Sequence, residues 1–314
     1  WHLSSKMDGS EPTPGDHGFD HWFSTQNNAM PSHHNPRNFL RNGESCGPME
    51  GYSSSLIVEE AIRFLDTVGD DPFALFVWFH TPHEPVATAA EFMSMYPTGN
   101  EDQAIYFGNV TQMDHEKGRL LDALDARELR DNTFVMFTSD NGPETLNRYR
   151  NANRSYGSPG PLRGMKLHMY EGGIRVPGII RWPGHTKAGT ESFEPTCGVD
   201  MLPTACALAG VSVPPDRALD GASLLPLLEG RPIKRTIPLY WRYDRALSTA
   251  KHALREGDWK LLADADFGAL ELYNLREDLG ETTNLVEQQP ERARRMLEAI
   301  QSIHSSIERD PIST

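Results

Sequence analysis

The sequence predicts an α/β fold, and two apolar runs separated by a long amphipathic stretch carry this prediction. Residues 73–79 form a continuous apolar run of strand length, and 132–138 contain a second one. Runs of this kind suit strands buried on both faces, as in a parallel sheet. The region 103–129 between them has the apolar spacing of a helix. Strand, helix and strand at this spacing are typical of a βαβ unit.

The other elements of the first two thirds follow from similar patterns. Residues 1–55 are rich in Gly, Pro, Asn, Ser and His, which predicts long loops. Apolar residues at helical spacing predict a helix over 57–68, and a second helix over 199–209 ends at Gly210. A short apolar stretch predicts a strand over 179–182.

The pattern changes after residue 232, where short strand candidates follow one another. These candidates are 237–240, 252–255, 259–262 and 270–273. A Glu-Gly-Asp turn at 256–258 joins two of them as a hairpin, and an apolar stripe predicts a final helix over 288–307. We therefore expect a larger α/β domain over 1–232 and a small antiparallel α+β subdomain over 233–314.

Length and composition exclude several classes of protein. The 314 residues are 38% apolar and 24% charged, which suffices for a core and argues against disorder. No apolar stretch approaches the ~20 residues that span a bilayer, so we expect no membrane span. The formal charge of −14, from 30 basic and 44 acidic residues, argues against a nucleic-acid partner. Three cysteines are too few for a disulfide framework or a Cys-rich zinc site.

Asp140 and Asn141 directly follow the second apolar run. The carboxyl end of a strand in an open α/β sheet is where ligands bind. A carboxylate beside an amide carbonyl offers the hard oxygen ligands that suit Ca²⁺ or Mg²⁺. An ordinary Asx turn, stabilised by Gly142, would give the same tetrapeptide.

His80 and His83 follow the first apolar run, close to two prolines that stiffen the loop. An imidazole in a fixed position can bind an anion or transfer a proton. Either histidine could instead simply pack. We interpret His80 as a packing residue and His83 as a functional one.

The segment 145–175 carries six basic residues against a single acidic one, Glu171. The basic residues are Arg148, Arg150, Arg154, Arg163, Lys166 and Arg175. In a chain of net charge −14, this local excess indicates an anion site. The alternative is a solvated basic loop.

Taken together and in order, these segments resemble the sulfatase family (arylsulfatase type) of the alkaline phosphatase superfamily. The motifs that carry the resemblance are Trp-His-Leu at 1–3, His-Gly-Phe-Asp at 17–20, Pro-His-Glu-Pro at 82–85, Ser-Asp-Asn-Gly at 139–142, Leu-Arg-Gly-Met-Lys at 162–166, 170–177, Arg-Trp-Pro-Gly at 181–184, 254–261 and 271–275 with Asp278. The resemblance implies an alkaline-phosphatase-like fold, with a mixed, mostly parallel sheet flanked by helices and a small C-terminal antiparallel α+β subdomain.

The resemblance also implies a sulfatase activity and its chemistry. Sulfatases use a formylglycine, made from Cys or Ser in a C/S-x-P-x-R motif, together with a divalent cation, normally Ca²⁺. Asp140 and Asn141 match two of the metal ligands. His2 matches the histidine that hydrogen-bonds the formylglycine hydroxyl. His83 and Lys166 match residues that bind the sulfate and neutralise the leaving oxygen.

The expected substrate is a sulfated small molecule or glycan. Arg148, Arg150 and His168 are further candidates for substrate contacts. The loop 21–55 is a candidate specificity element, and the resemblance implies export to the periplasm, a lysosome or the cell exterior.

The sequence departs from the family pattern in its nucleophile, and it also lacks the paired aspartates that complete the family's metal site and the lysine that the family has just before the Trp-His-Leu segment. None of the 314 residues lies in a C/S-x-P-x-R motif, which the family places before the Trp-His-Leu segment. Cys46 begins a similar stretch, but Glu50 stands where Arg is required, so we interpret Cys46 as an ordinary loop residue. We therefore expect a fragment that lacks the nucleophile and is inactive alone.

Two alternatives to a sulfatase remain open. The first is a phosphate or phosphonate ester hydrolase of the same superfamily, in which a histidine usually follows the metal-binding aspartate. Asn141 in that position favours a Ca²⁺-like ion and a sulfate. The second is a non-catalytic protein that binds sulfated glycans through the basic region 148–175.

Overall fold

The computed structural model describes residues 1–216 and 218–310, which form two compact units. The first unit comprises 1–130 and 144–157, and the second comprises 131–143 and the described residues of 158–314. The helices are α1 (Ser53–Leu65), α2 (Ala90–Met93), α3 (Glu101–Ala126), α4 (Glu171–Ile174), α5 (Met201–Leu208), α6 (Leu225–Leu228) and α7 (Pro290–Glu308). The strands are β1 (Phe23–Ser24), β2 (Leu40–Arg41), β3 (Glu44–Ser45), β4 (Val135–Thr138), β5 (Gly178–Arg181), β6 (Leu239–Arg242), β7 (His252–Glu256), β8 (Trp259–Ala263) and β9 (Leu270–Asn274).

The first unit is built on the contact between α1 and α3, two helices that the sequence predicted within a few residues. Asn100 caps α3, since its side chain accepts a hydrogen bond from the Gln103 backbone N–H at 3.1 Å. Ser55 of α1 donates to the buried carboxylate of Glu116 on α3 at 2.7 Å. β1, β2 and β3 form a small sheet, and Phe39, just before β2, packs with Leu56 of α1.

The apolar run Phe73–Phe79 is extended, but it is not a strand, so this prediction was wrong for the structure described. Within residues 1–216 and 218–310, the run makes no backbone hydrogen bond. Its side chains alternate between half-buried and exposed, with Phe76 51% and Trp78 57% exposed, so the run is only half-buried, and on one side alone. A strand requires a pairing partner as well as apolar residues, and the run has none in the described chain.

The second unit contains two antiparallel sheets. β4 pairs with β5, so the parallel pairing expected for β4 is absent from the described strands. β6, β7, β8 and β9 form an antiparallel meander in which each strand pairs with the next. Gly257 adopts a positive φ of 57° in the two-residue turn between β7 and β8, as the predicted hairpin requires.

The long helix α7 covers the meander of β6–β9. Met296 and Ile300 of α7 are fully buried and pack with Leu254, Leu261 and Leu272 from the sheet. The antiparallel sheet and the terminal helix expected after residue 232 are therefore confirmed. The domain division at that residue stays a prediction.

A buried carboxylate organises the start of α5. Asp200 is fully buried, accepts a hydrogen bond from the Cys197 backbone N–H at 2.8 Å and forms two hydrogen bonds with Arg235 at 2.6 and 2.7 Å. Cys197 and Cys206 are half-buried free thiols at this helix. Along the described chain, no helix combines the length and apolar character needed to cross a bilayer.

Candidate active site

The turn after β4 presents two oxygen donors. Asp140 is exposed, and among the described residues it accepts a single, long hydrogen bond from Ser139 Oγ at 3.5 Å. Asn141 Nδ2 donates a hydrogen bond to the Gly142 carbonyl at 2.9 Å. The amide oxygen Oδ1 is therefore the atom of Asn141 that can coordinate a cation. The Asp140–Asn141 pair therefore offers one carboxylate and one amide oxygen.

Close backbone contacts join this turn to α4. The Gly142 N–H donates to the Gly173 carbonyl at 2.9 Å. A Cβ on Gly142 would lie 1.9 Å from the Gly172 carbonyl oxygen. Only glycine fits at position 142, because any side chain would collide with that backbone.

The turn that carries Lys166 rests on the same two segments. The Lys166 N–H donates to the Pro143 carbonyl at 2.9 Å, and the Gly172 N–H donates to the Arg163 carbonyl at 2.7 Å. His168 folds back over this turn, with Nδ1 3.0 Å from the Met165 carbonyl. The second unit thus brings Asp140, Asn141 and Lys166 onto adjoining turns.

A buried charge cluster lies behind these turns, formed by Glu171, Lys260, Glu281 and Arg255. Lys260 and Glu281 are both 0% exposed. Lys260 Nζ lies 2.9 Å from Glu171 Oε1 and 2.8 Å from Glu281 Oε1. Arg255 Nη1 lies 3.3 Å from Glu171 Oε2, and Glu281 Oε2 accepts from the Glu171 backbone N–H at 2.6 Å.

The two carboxylates of this cluster respond differently to burial. Burial acts to raise the pKa of Glu171, but the hydrogen bond and charge of Lys260 together with the charges of Arg255 and Arg175 outweigh burial and hold that pKa below its ordinary value. For Glu281, burial prevails over the attraction of Lys260 and raises the pKa. Sequence reasoning missed this cluster. The one available signal was a lysine inside the apolar stretch 259–263.

His83 lies in the first unit, on an exposed loop. Its Nδ1 is 2.9 Å from the Glu84 carbonyl, an arrangement in which Nδ1–H donates and Nε2 is left for a ligand. The buried Glu84 carboxylate anchors the loop by accepting from the backbone N–H groups of Val86 at 3.0 Å and Arg154 at 2.6 Å.

His80 and His33 lie inside the first unit, where their ring centroids are 5.9 Å apart. Burial, together with the neighbouring histidines, lowers the pKa of His80 to about 3 and that of His33 to about 4. Both are therefore neutral at ordinary pH, which agrees with the interpretation of His80 as a packing residue. His80 Nε2 lies 2.8 Å from Thr25 Oγ1.

The basic residues of 145–175 are largely paired, so the six-to-one count overstates the local excess of positive charge. The carboxylate partners are Glu144 for Arg148 (2.7 Å), Asp102 for Arg154 (2.7 Å), Glu271 for Arg163 (3.2 Å) and Glu171 for Arg175 (3.4 Å). Three of these partners lie outside the counted segment, so the sequence window did not include them. Arg150 is exposed and has no ion pair with a described residue.

His2 is exposed and makes no hydrogen bond or ion pair within residues 1–216 and 218–310. The adjacent Trp1 stacks on Trp78, with ring centroids 6.1 Å apart. Cys46 is half-buried beside the Phe39 core, as expected of an ordinary loop residue.

The side-chain oxygens of Asp140 and Asn141 could form part of a binding site for a hard cation. Ca²⁺ takes 6–8 oxygen ligands, and Asp140 and Asn141 supply two. No group of three or more His, Cys, Asp or Glu side chains in the described chain could hold a metal. A complete site would therefore require further oxygen ligands.

Two family models match the chain. The model described as Sulfatase matches residues 1–211, and the model described as N-sulphoglucosamine sulphohydrolase, C-terminal, matches residues 165–308.

Curated proteins with related sequences include arylsulfatase H of Canis lupus familiaris and N-acetylgalactosamine-6-sulfatase of Homo sapiens. The first is 41% identical over 179 residues, which cover 57% of this chain and 31% of that protein. The second is 33% identical over 265 residues, which cover 79% of this chain and 48% of that protein. The chain spans about half or less of the length of these relatives.

Solved structures with the same fold include Ps i-CgsB in complex with a neocarrahexaose. It is 26% identical, with a TM-score of 0.79, over 92% of this chain and 67% of that one. A second is a protein in complex with its substrate D-glucosamine-2-N,6-O-disulfate. It is 22% identical, with a TM-score of 0.74, over 99% of this chain and 79% of that one, and shows likeness of fold.

Proposed function

Because the chain belongs to the sulfatase family and has its alkaline-phosphatase-like α/β fold, we propose that it is part of a sulfuric ester hydrolase. The match of the Sulfatase model over residues 1–211 carries this proposal. Hydrolysis of a sulfate ester requires neutralisation of the sulfate oxygens and a proton for the leaving oxygen. Residues of this chain can supply both.

Asp140 and Asn141 would hold a Ca²⁺ ion, or Mg²⁺ in its place. The support is their chemistry, since one exposed carboxylate oxygen and one amide oxygen are hard donors on a glycine-braced turn. When bound, such an ion offsets negative charge on the sulfate group.

Lys166 would bind the sulfate and neutralise the leaving oxygen. Its ammonium is a compact point charge, which suits a tetrahedral oxyanion. His83 would have the same role, since Nε2 can donate to a sulfate oxygen while Nδ1 is held by the Glu84 carbonyl. His2 would assist the nucleophile and the release of sulfate.

Arg150 is the better candidate for a further substrate contact, because the charge of Arg148 is already neutralised by Glu144. His168 would act mainly by closing the Lys166 turn. Both proposals refine the expectation that Arg148, Arg150 and His168 contact the substrate.

The nucleophile would come from outside these 314 residues. No C/S-x-P-x-R motif occurs among them, and Cys46 packs against the core of the first unit. We propose a formylglycine in that role, so the chain alone would be inactive.

The proposed substrate is a sulfated carbohydrate or an aryl sulfate. The names arylsulfatase H and N-acetylgalactosamine-6-sulfatase support both classes, and the neocarrahexaose bound to Ps i-CgsB supports a carbohydrate. We also propose that the protein is exported. Its catalytic domain would span 1–232 and its C-terminal subdomain 233–314.

The test is hydrolysis by the protein that includes a C/S-x-P-x-R segment, produced with the formylglycine-forming enzyme. We expect turnover of an aryl sulfate or a sulfated hexosamine, calcium in the purified protein and no turnover by the 314-residue chain. Turnover of phosphate or phosphonate esters with stoichiometric zinc would establish the phosphoryl alternative. Binding of sulfated glycans without turnover would establish the non-catalytic one.

A further inference from the structure

The buried charge cluster of Glu171, Lys260, Glu281 and Arg255 arises from an unusual strand pairing. Arg255 of β7 and Lys260 of β8 are directly opposite each other in the antiparallel ladder. Like charges in this position repel each other and destabilise a sheet. The carboxylates of Glu171 and Glu281 compensate for this repulsion, and both reach the sheet from segments outside it.

Glu171 links this cluster to the candidate active site. It is the first residue of α4, and the two residues that follow it are the glycines in contact with the site turns. The Gly173 carbonyl accepts from Gly142, beside Asp140 and Asn141. The Gly172 N–H donates to the Arg163 carbonyl, at the start of the Lys166 turn. A displacement of Glu171 would therefore move both turns.

A network of buried charges contributes little net stability to a fold, because desolvation of the charges offsets their attraction. Removing charged groups from water costs several kcal/mol per ion, and well-packed apolar residues often give equal or greater stability. Charged groups in such a place instead fix a single geometry, because each hydrogen bond has a required distance and direction.

We propose that Lys260, together with Glu281, is a positioning residue for the candidate active site. Lys260 holds Glu171, and Glu171 sets the distance between the Asp140–Asn141 pair and Lys166. Lys260 itself is fully buried, so its side chain has no exposed surface for contact with a substrate. This proposal rests on the proposed sulfatase function only in the catalytic roles that it gives to Asp140, Asn141 and Lys166.

The test uses the complete enzyme described above, with the double variant Lys260→Met/Glu281→Gln. This variant removes one positive and one negative charge, so Glu171 keeps Arg255 as its partner. Arg295→Met is the matched control, because it breaks an exposed ion pair with Glu256 on the same sheet (2.6 Å). Amide hydrogen exchange at Gly142 and Gly172 is measured together with kcat and KM.

In the double variant, we expect protection at both amides to fall about tenfold or more, while the β8 amides remain protected. The value of kcat falls by about 100-fold with little change in KM, since a shift of about 1 Å in a catalytic group has this effect. The control retains wild-type exchange and kinetics. If the double variant fails to fold, Glu281→Gln alone is expected to give a smaller change in the same direction.

The proposal is overturned if a folded variant retains both protected amides and the wild-type kcat. It is also overturned if activity falls only in proportion to the folded fraction. Exchange at Gly142 and Gly172 does not depend on the reaction. A wild-type enzyme without sulfatase activity would therefore refute the proposed function, while the exchange result would still decide the role of Lys260.

Discussion

The backbone N–H of Gly142 donates to the carbonyl of Gly173, 31 positions later, across 2.9 Å. Through this bond, the turn that carries Asp140 and Asn141 lies directly against the start of α4. The contact is possible because position 142 has no side chain, since a Cβ there would lie 1.9 Å from the Gly172 carbonyl oxygen. The geometry of the proposed metal ligands therefore depends on backbone-to-backbone packing.

Gly142→Ala is expected to displace the Asp140–Asn141 turn. The new Cβ would lie 1.9 Å from a backbone oxygen, so the cost is at least about 1–3 kcal/mol of stability. Urea unfolding measures this cost. Gly178→Ala in β5 is the control, because its Cβ would meet no atom within 4 Å. Equal stability of the two variants would contradict the packing described for Gly142.

Asp140→Asn is expected to weaken Ca²⁺ binding by more than about 100-fold, since it removes the only charged ligand proposed in this chain. Isothermal titration of the chelator-treated complete enzyme measures the affinity. Asp131→Asn, outside the site and also exposed, is the control. Unchanged calcium affinity in Asp140→Asn would exclude Asp140 as a ligand.

His33 and His80 are expected to remain neutral in the folded protein down to about pH 5, because burial lowers their pKa values to about 4 and about 3. In the unfolded chain they take up protons near pH 6.5. The unfolded state then binds more protons, so the stability that these residues contribute is complete above pH 6.5. This stability is lost progressively as the pH falls below 6.5 toward the pKa values that His33 and His80 have in the folded protein.

Imidazole NMR titration measures these two pKa values directly, and urea unfolding at pH 7.5 and pH 5 measures the loss of stability. The urea-denatured chain is the reference for ordinary histidine titration. A folded-state titration of His33 or His80 near pH 6.5 would contradict the burial described here.

Ile300→Ala is expected to destabilise the second unit by about 2–5 kcal/mol, because Ile300 is fully buried between α7 and the meander. Ser302→Ala, on the exposed side of the same helix, should have little effect. Thermal unfolding compares the two variants. A small effect of Ile300→Ala would show that α7 does not depend on this contact.

The sequence predicted the regular elements best where apolar periodicity is strong. The helices α1, α3 and α7 and the strands of the meander lie within a few residues of their predicted positions. The run 73–79 has the composition of a buried strand, but strand formation also depends on a partner, which composition does not report. The two-residue strands β1–β3 are too short to produce a pattern.

Prediction of the candidate site was limited by long-range pairing. Asp140, Asn141 and Lys166 were found as motifs, because each follows a recognisable strand or glycine. Lys260 and Glu281 were missed, since their roles arise from contact with Glu171, 89 and 110 positions away in the chain. The pairing of Arg148 with Glu144 was missed because a charge count over a window ignores its neighbours.

The unpaired run Phe73–Phe79 has a practical consequence for handling the protein. Its N–H and C=O groups have no hydrogen-bond partner within 1–216 and 218–310, and next to the exposed rings of Phe76 and Trp78 they form an open edge to which identical chains can add. The isolated polypeptide is therefore expected to aggregate at the concentrations used for crystallisation. Replacement of Trp78 by lysine, a charge that natural sheets use to block such edges, should keep it dispersed in light scattering.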